Sequence, residues 1–537
     1  FRIRYIRPLC HLSAAAGIIA QEMHWIKRLS LLATCFIVVN CGDTGLRLAL
    51  PFPTPGQHEL VVLTSPGLLT YQADESTQFG GLERNLIEAF AQDLGVAIRY
   101  VVVSPEEIES QLTNDKAHLA AAWLAPPQDD KIKTTPPIRY TDDVLIQHEA
   151  SLPILDNEEL QGKTVHVITG SRQAATLQAL QKTVPTLSIV EEKGHDVFKL
   201  LEALSERKIS YVAIDSALID IATQLIPSLQ ASLTLKKEQP VVWLLGEKPN
   251  VELAARANAF VERVQRDGTL AKLDDRYFGH VRRLSQADVV TFLGEIETTL
   301  PKLRKYFHAA ETISGIDWRL IAAIAYHESH WDANATSYTN VRGIMMLTEE
   351  TADRLKVSNR LDPSESILAG ARYMNILREM LPEEVEEPDR TWLALAAYNI
   401  GPGHMNMART LARQLKADPN AWYEMKRILP KLSQPQYVHQ YKTARARGGE
   451  AVILVENIRS YYDILLHHTP AFRPTAAASE NIKRLIAEVD QRRKAYVRQI
   501  AVARSIGSEE SGEINEPSLR LPTINAEPTL SVRLGSE

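Results

Sequence analysis

GIDWRLIAAIAYHESHWDANATSYTNVRGIMMLT, residues 315–348, places a lone carboxylate at the end of an apolar run. Asp317 suits a helix N-cap, which predicts a helix from 318 to about 328. Ile321, Ala322, Ala323, Ile324 and Ala325 leave that helix no polar face, and a helix apolar all round is a buried one. Glu328 then sits at the C-terminal end, where the helix dipole is negative. Apolar neighbours and the dipole both disfavour the charged form and raise the pKa. A buried carboxyl is costly unless it is paired or useful, and one protonated near neutrality is a general acid. The competing reading is a solvated glutamate at a helix end. The rest of the chain decides between them.

At 537 residues the chain exceeds one core, and roughly two or three domains are expected. Apolar residues at 45% and charged residues at 23% fit soluble globular protein. Lys+Arg 60 against Asp+Glu 66 gives a net charge of -6, which argues against a nucleic-acid binder. The three cysteines, Cys10, Cys35 and Cys41, all lie in the first 41 residues, so nothing beyond them can form a disulfide or a thiolate metal site. From Met23, a basic pair (Lys27, Arg28) precedes an apolar run, Leu29 to Val39, too short to span a bilayer comfortably. It reads as a signal-peptide core over 23–41, and the bulk of the chain as exported. Residues 1–22 open without Met and are expected to be non-native upstream sequence.

Residues 42–57 are rich in Pro and Gly and read as a linker. From 58 to 285 strand-like runs (ELVVLTS, AIRYVVVS, HLAAAWLA, TVHVITG, YVAIDSA and VVWLLG) alternate with helical spacing, which means an α/β fold with a mostly parallel sheet. After about 286 the strands give way to successive helical segments at 289–308, 317–328, 348–356, 364–380, 390–398, 403–415 and 450–466, an all-α domain over 286–470. Residues 471–537 carry a charged amphipathic helix, 480–502, and a polar tail expected to be disordered.

The α/β part resembles extracellular solute-binding proteins of the amino-acid-binding type, through GGLERNLIEAFAQDLGV, GKTVHVITGS, YVAIDSA and RDGTLAKLDDRYFG. The resemblance implies two lobes with a ligand cleft between them, and chain crossings near 150 and near 240. By the same resemblance Asp215 would hold a ligand amino group and Ser171, at a helix start, a carboxylate. Lys131 is the nearest stand-in for the family's arginine, and a lysine lacks the bidentate fork. An amino acid or a muropeptide is the ligand implied.

The helical part resembles the lytic murein transglycosylases, which share a goose-type lysozyme-like fold. The resemblance rests on Glu328-Ser329, Ser337, GIMML at 343–347, AAYNIGPG at 396–403 and VENIRSYY at 455–462. The fold expected is therefore multidomain: a bilobed α/β periplasmic-binding-protein-like domain, then a mainly α lysozyme-like domain. The resemblance implies that Glu328 is catalytic, that Ser337 and Tyr398 contact sugar substituents or Glu328, and that Asn399 holds its loop. Gly343 and Gly401 would admit the glycan closely. Met346, where the family often has Gln, would wall the cleft, and Tyr461 would reach the site, with Tyr462 as the alternative. It also implies peptidoglycan glycan strands as substrate and no cofactor.

Glycosidases ordinarily use two carboxylates, and Asp332, the only nearby acid, reads as a turn cap. One acid suffices where the substrate supplies the nucleophile, as in the transglycosylases. His327 and His330 stand three apart, not the four of a zincin helix, so no metal is expected. A lysozyme-type hydrolase and a non-catalytic exported protein that docks on the wall remain as alternatives. Resemblance to bacterial lipoproteins makes Cys41, followed by Gly42, a lipidation site facing the outer membrane from the periplasm. Two halves on one chain suggest that ligand closure of the first regulates the second.

Overall fold

The computed structural model describes residues 50–72, 80–127, 131–194, 196–281, 283–437 and 447–509. The cysteines, the signal segment expected over 23–41 and the tail expected at the C-terminal end lie outside them. The strands are β1 (Leu60–Thr64), β2 (Ile98–Val102), β3 (Leu119–Leu124), β4 (Lys133–Thr134), β5 (Arg139–His148), β6 (Thr164–Ile168), β7 (Ser188–Glu192), β8 (Tyr211–Asp215) and β9 (Leu229–Gly246). The helices of the first half are α1 (Leu82–Leu94), α2 (Ile108–Thr113), α3 (Arg172–Gln181), α4 (Val197–Ser205), α5 (Ile219–Leu225), α6 (Val251–Val264) and α7 (Thr269–Phe278). Those of the second are α8 (Gln286–Thr298), α9 (Leu300–Ser314), α10 (Trp318–Ser329), α11 (Glu349–Leu355), α12 (Pro363–Glu379), α13 (Asp389–Ile400), α14 (Pro402–Gln414), α15 (Trp422–Ile428), α16 (Gly448–His468) and α17 (Ala476–Glu509).

The strands run in the order β2-β1-β3-β9-β5-β8-β6-β7, with β4 on β9. Parallel pairs flank β1 and β6, while β9 runs antiparallel to β3 and to β5. That order contains two lobes joined by two long strands. Arg139 at the start of β5 pairs with Val241, and from Asp143 onward β5 also pairs with β8. The first crossing therefore falls within 139–143, not near 150, because β5 already belongs to the second lobe. The sequence reading also found only the apolar end of β9, VVWLLG. Its first twelve residues, LQASLTLKKEQP, are mostly half-buried or exposed and carry no continuous apolar signal.

In the helical half, the single helix expected over 289–308 is two. The chain breaks at Thr299, and Pro301, lacking an N–H, is tolerated only in the first turn of the new helix. Helix α10 is wrapped by α9, α12 and α16, and every residue from Trp318 to Tyr326 is buried.

Helix α16 also joins the halves. Arg459 donates to the carbonyls of Arg276 (2.6 Å) and Asp275 (3.2 Å) just before the end of α7, and to Glu456 Oε1 (2.9 Å). Ser460 Oγ donates to the His280 carbonyl at 2.8 Å, and the buried His280 ring meets Asp463 at 2.5 Å. Burial pushes the Glu456 carboxyl up, but Arg459, Lys426 and the Trp422 indole together hold it below its ordinary value. Replacing Arg459 by Ala should therefore cost about 3–5 kcal/mol, because a buried carboxylate loses its main partner. The check is chemical denaturation of wild type, Arg459→Ala and the double variant Glu456→Gln/Arg459→Met, with the double variant recovering most of the loss.

Candidate active site and ligand cleft

Asp317 caps α10 by accepting the Arg319 N–H at 2.8 Å. At the other end His330 (φ 52°) and Trp331 (φ 62°) are both left-handed, so the chain turns sharply away after Ser329. The Trp331 indole then donates back to the Ala322 carbonyl at 2.8 Å. Glu328 is half-buried as a residue, but its Oε1 is withdrawn from solvent and has no hydrogen-bond partner. Burial raises its carboxyl to about 8. The adjacent His327 is pushed down to about 4 by burial and by His330, so it brings no positive charge near neutral pH.

The segment 343–347 is held by three side chains, Ser329, Tyr398 and Arg360. Ser329 Oγ donates to the Ile344 carbonyl at 2.9 Å, and Tyr398 OH to the Met345 carbonyl at 2.8 Å. Arg360 Nη1 donates to the carbonyls of Asn340 (2.7 Å) and Leu347 (3.1 Å). Burial, then the Glu328 charge, hold the Tyr398 phenol far above its ordinary pKa, so it stays protonated. The result is a carboxyl group that burial favours in its neutral form and that has no internal hydrogen-bond partner, an arrangement able to donate a proton.

The other expected residues fall in different places. Ser337 Oγ contacts Thr339 Oγ1 at 2.9 Å and accepts the Val341 N–H at 3.1 Å, so it closes a turn. Gly343 has φ 80°, and a Cβ there would lie 1.8 Å from the Arg360 carbonyl. The close approach it permits in this structure is to the Arg360 carbonyl. At Gly401 (φ 83°) the Cβ position is open. Met345 is fully buried against Gly370, whereas Met346 is half-buried with φ 44°, a strained conformation of the kind held at functional sites. Asn399 is half-buried near the end of α13. Asp332 accepts the Asn334 N–H at 2.9 Å and caps its turn.

Tyr461 is a correction. Its ring packs on Phe292 (4.7 Å) and Tyr326 (4.9 Å). Tyr326 precedes Glu328 by two residues, about 200° around the helix, so Tyr461 lies on the face of α10 turned away from the carboxyl. Tyr462 is buried near Asp317 and Arg319, at the start of α10.

Between the lobes lies a cavity of about 1080 Å³, lined among others by Trp123, Ser171, Arg172 and Asp215. Asp215 is not available there for a ligand amine. It already accepts from Trp123 Nε1 (2.8 Å), Arg172 Nη2 (2.6 Å), Thr141 Oγ1 (2.5 Å) and the Ala217 N–H (2.8 Å). Ser171 caps α3 by accepting the Ala174 N–H at 3.2 Å. Lys131 is not among the described lining residues. The guanidinium in the cleft is Arg172, which also bonds Asp143 at 2.9 Å and leaves Nη1 buried without a partner. The sequence reading passed over it, although it directly follows Ser171 at the helix start. Trp123, itself left-handed (φ 57°), donates its N–H to Glu83, whose carboxyl burial raises to about 8. Asp463, Leu466 and His467 of α16 complete the wall.

Residues 60–280 match the family described as bacterial extracellular solute-binding proteins, family 3, and residues 305–420 the transglycosylase SLT domain. A Methylobacillus flagellatus protein named membrane-bound lytic murein transglycosylase F is 38% identical, over 85% of this chain and 98% of that one. A Nitrosospira multiformis protein of the same name is 40% identical, over 82% and 91%. Among solved structures, an ancestral arginine-binding protein bound to arginine is similar over 41% of this chain and 98% of its own, at 20% identity and TM-score 0.37.

The raised Glu328 pKa fixes a sign. Between the ordinary carboxyl value of 4.5 and about 8 the folded state binds the proton that the unfolded state has lost, so stability falls as pH rises through that window. Glu328→Gln should therefore be more stable than wild type, with the advantage growing from pH 5 to pH 8 in paired denaturation curves.

Proposed function

Because the chain belongs to the membrane-bound lytic murein transglycosylase F family, a group of lyases acting on peptidoglycan, we propose that Glu328 performs both proton transfers of the cleavage. As the acid it protonates the glycosidic oxygen between N-acetylmuramic acid and N-acetylglucosamine, and the C1–O bond breaks. Left as a carboxylate, it takes the proton of the muramic acid C6 hydroxyl as that oxygen bonds C1. The product ends in a 1,6-anhydro ring, no water is consumed, and Glu328 returns to its starting form. Because the nucleophile belongs to the same sugar residue, it has the advantage of proximity and no second enzymic carboxylate is needed as nucleophile.

The observation that carries this reading is the neutral, unpartnered Glu328 carboxyl, with Asp332 committed to its turn. Tyr398 OH donates a hydrogen bond to the Met345 carbonyl and so holds the loop beside the leaving group, while Met346 supplies a cleft wall. Ser337 and Asn399 shape the loops around the glycan. The bilobed half is the regulatory half: its cavity is walled by α16, the same helix that packs on α10. A ligand acts there only through different affinities for two arrangements of the halves. Peptide or amino-acid ligands fit the partly polar cavity, meeting Arg172 Nη1 through a carbonyl oxygen. No helix among the described residues is long and apolar enough to cross a membrane. Attachment to the outer membrane on its periplasmic side would rest on acylated Cys41, outside the described residues.

Digestion of purified peptidoglycan in ¹⁸O-water, read by mass spectrometry, tests the chemistry. Anhydro ends without ¹⁸O are expected from wild type, and a loss of at least about 1,000-fold from Glu328→Gln. Reducing ends carrying ¹⁸O would identify a hydrolase instead. Turnover should fall on the basic side of pH 8, as the acid form is lost. For the regulatory half, wall-derived peptides should change turnover of wild type, and equal rates with and without every peptide tried would refute that role.

A further inference from the structure

Helix α17 is 34 residues long, and the apolar residues by which it packs on the helical core, Ile482, Leu485, Ile486 and Val489, lie in its first half. Ile482 and Val489 are buried in the helical core, and Asp490 and Arg492 pair with Arg372 (3.0 Å) and Asp362 (2.9 Å). Past Arg492 the character changes. Lys494, Val497 and Arg498 are exposed, Arg493, Tyr496 and Ile500 are half-buried, and Arg493, Lys494 and Arg498 form no ion pair among the described residues. The seventeen residues 491–507, QRRKAYVRQIAVARSIG, hold five basic residues and no acidic one, in a chain whose net charge is -6.

At about 100° per residue, Tyr496, Val497 and Ile500 fall within one arc of roughly 100°. Lys494 and Arg498 border it on one side and Arg492 on the other. Arg493 lies inside the arc, where its long stem can cover apolar surface and carry the charge outward. An apolar strip edged by cations is the pattern of a helix lying in a membrane interface. From this we infer that the free half of α17 is a docking surface for an anionic phospholipid bilayer. Phosphate headgroups meet the three unpaired cations, and the acyl boundary takes Tyr496, Val497 and Ile500. A polyanion such as the wall would use the charges but has no use for the apolar strip. The binding is independent of the glycan chemistry at Glu328.

The test uses the full chain carrying Cys41→Ser, so that no acyl group contributes, in co-sedimentation with vesicles. Binding is expected to phosphatidylglycerol-containing vesicles and not to pure phosphatidylcholine, and to weaken in high salt. Arg493→Glu/Lys494→Glu/Arg498→Glu should reduce it on the order of 100-fold, and Tyr496→Ser/Val497→Ser should weaken it with the charges intact. Lytic activity on small soluble glycan fragments and the helical circular dichroism signal should stay unchanged, which separates lost docking from lost folding. Equal sedimentation of wild type and the triple charge variant overturns the inference. So does retention on purified sacculi, lost in the triple variant, without any vesicle binding.

Discussion

A carboxyl group kept without a partner at the end of a buried helix is the constraint on which the helical half depends. Leaving a polar group unpaired is costly, so the surroundings must hold it in place by other means. They do so through packing: α10 is enclosed by α9, α12 and α16, and apolar residues surround it for three turns. They also withhold cations. A nearby positive charge would pull the Glu328 pKa back down, and His327 is kept neutral by burial. The loop at 343–347 is fixed by bonds to its carbonyls from Ser329 and Tyr398, so neither hydroxyl hydrogen is spent on the glutamate.

The bilobed half handles its buried charges in the opposite way. Arg172 binds both Asp143 and Asp215, and Gln173 and Thr176 fill the remaining positions on Asp143. The Trp123–Asp215 bond spans the cleft, from β3 of one lobe to the end of β8 in the other. Two charges that a zwitterionic ligand would seek are therefore already satisfied by each other. What stays open is a large cavity, the unpartnered Nη1 of Arg172 and the wall supplied by α16.

Helix α16 is where the two solutions meet. One side touches α10, another holds α7 and the His280 that follows it through Arg459, Ser460 and Asp463, and its C-terminal turn faces the cavity between the lobes. A rigid helix shared by two sites can carry a change at one to the other, provided the halves have two stable arrangements.

Features set by near neighbours along the chain could be read from the amino-acid order. The Asp317 cap, the all-apolar run behind Glu328, the Asp332 turn and the alternation of strands and helices before 286 depend on near neighbours, and all were legible. So was the family, because its motifs keep their order along the chain. Which side of a helix faces which partner emerged only from the packing. Tyr461 sits in a motif that points to the site, yet its ring packs on the far face of α10, since motif order carries no angle about a helix axis. Asp215 and Arg172 became recognisable as partners only in the folded second lobe, because their pairing joins residues forty-three positions apart. The polar first part of β9 was invisible for the same reason: its partner β5 lies more than eighty residues earlier, and backbone pairing at that distance leaves no mark in side-chain periodicity.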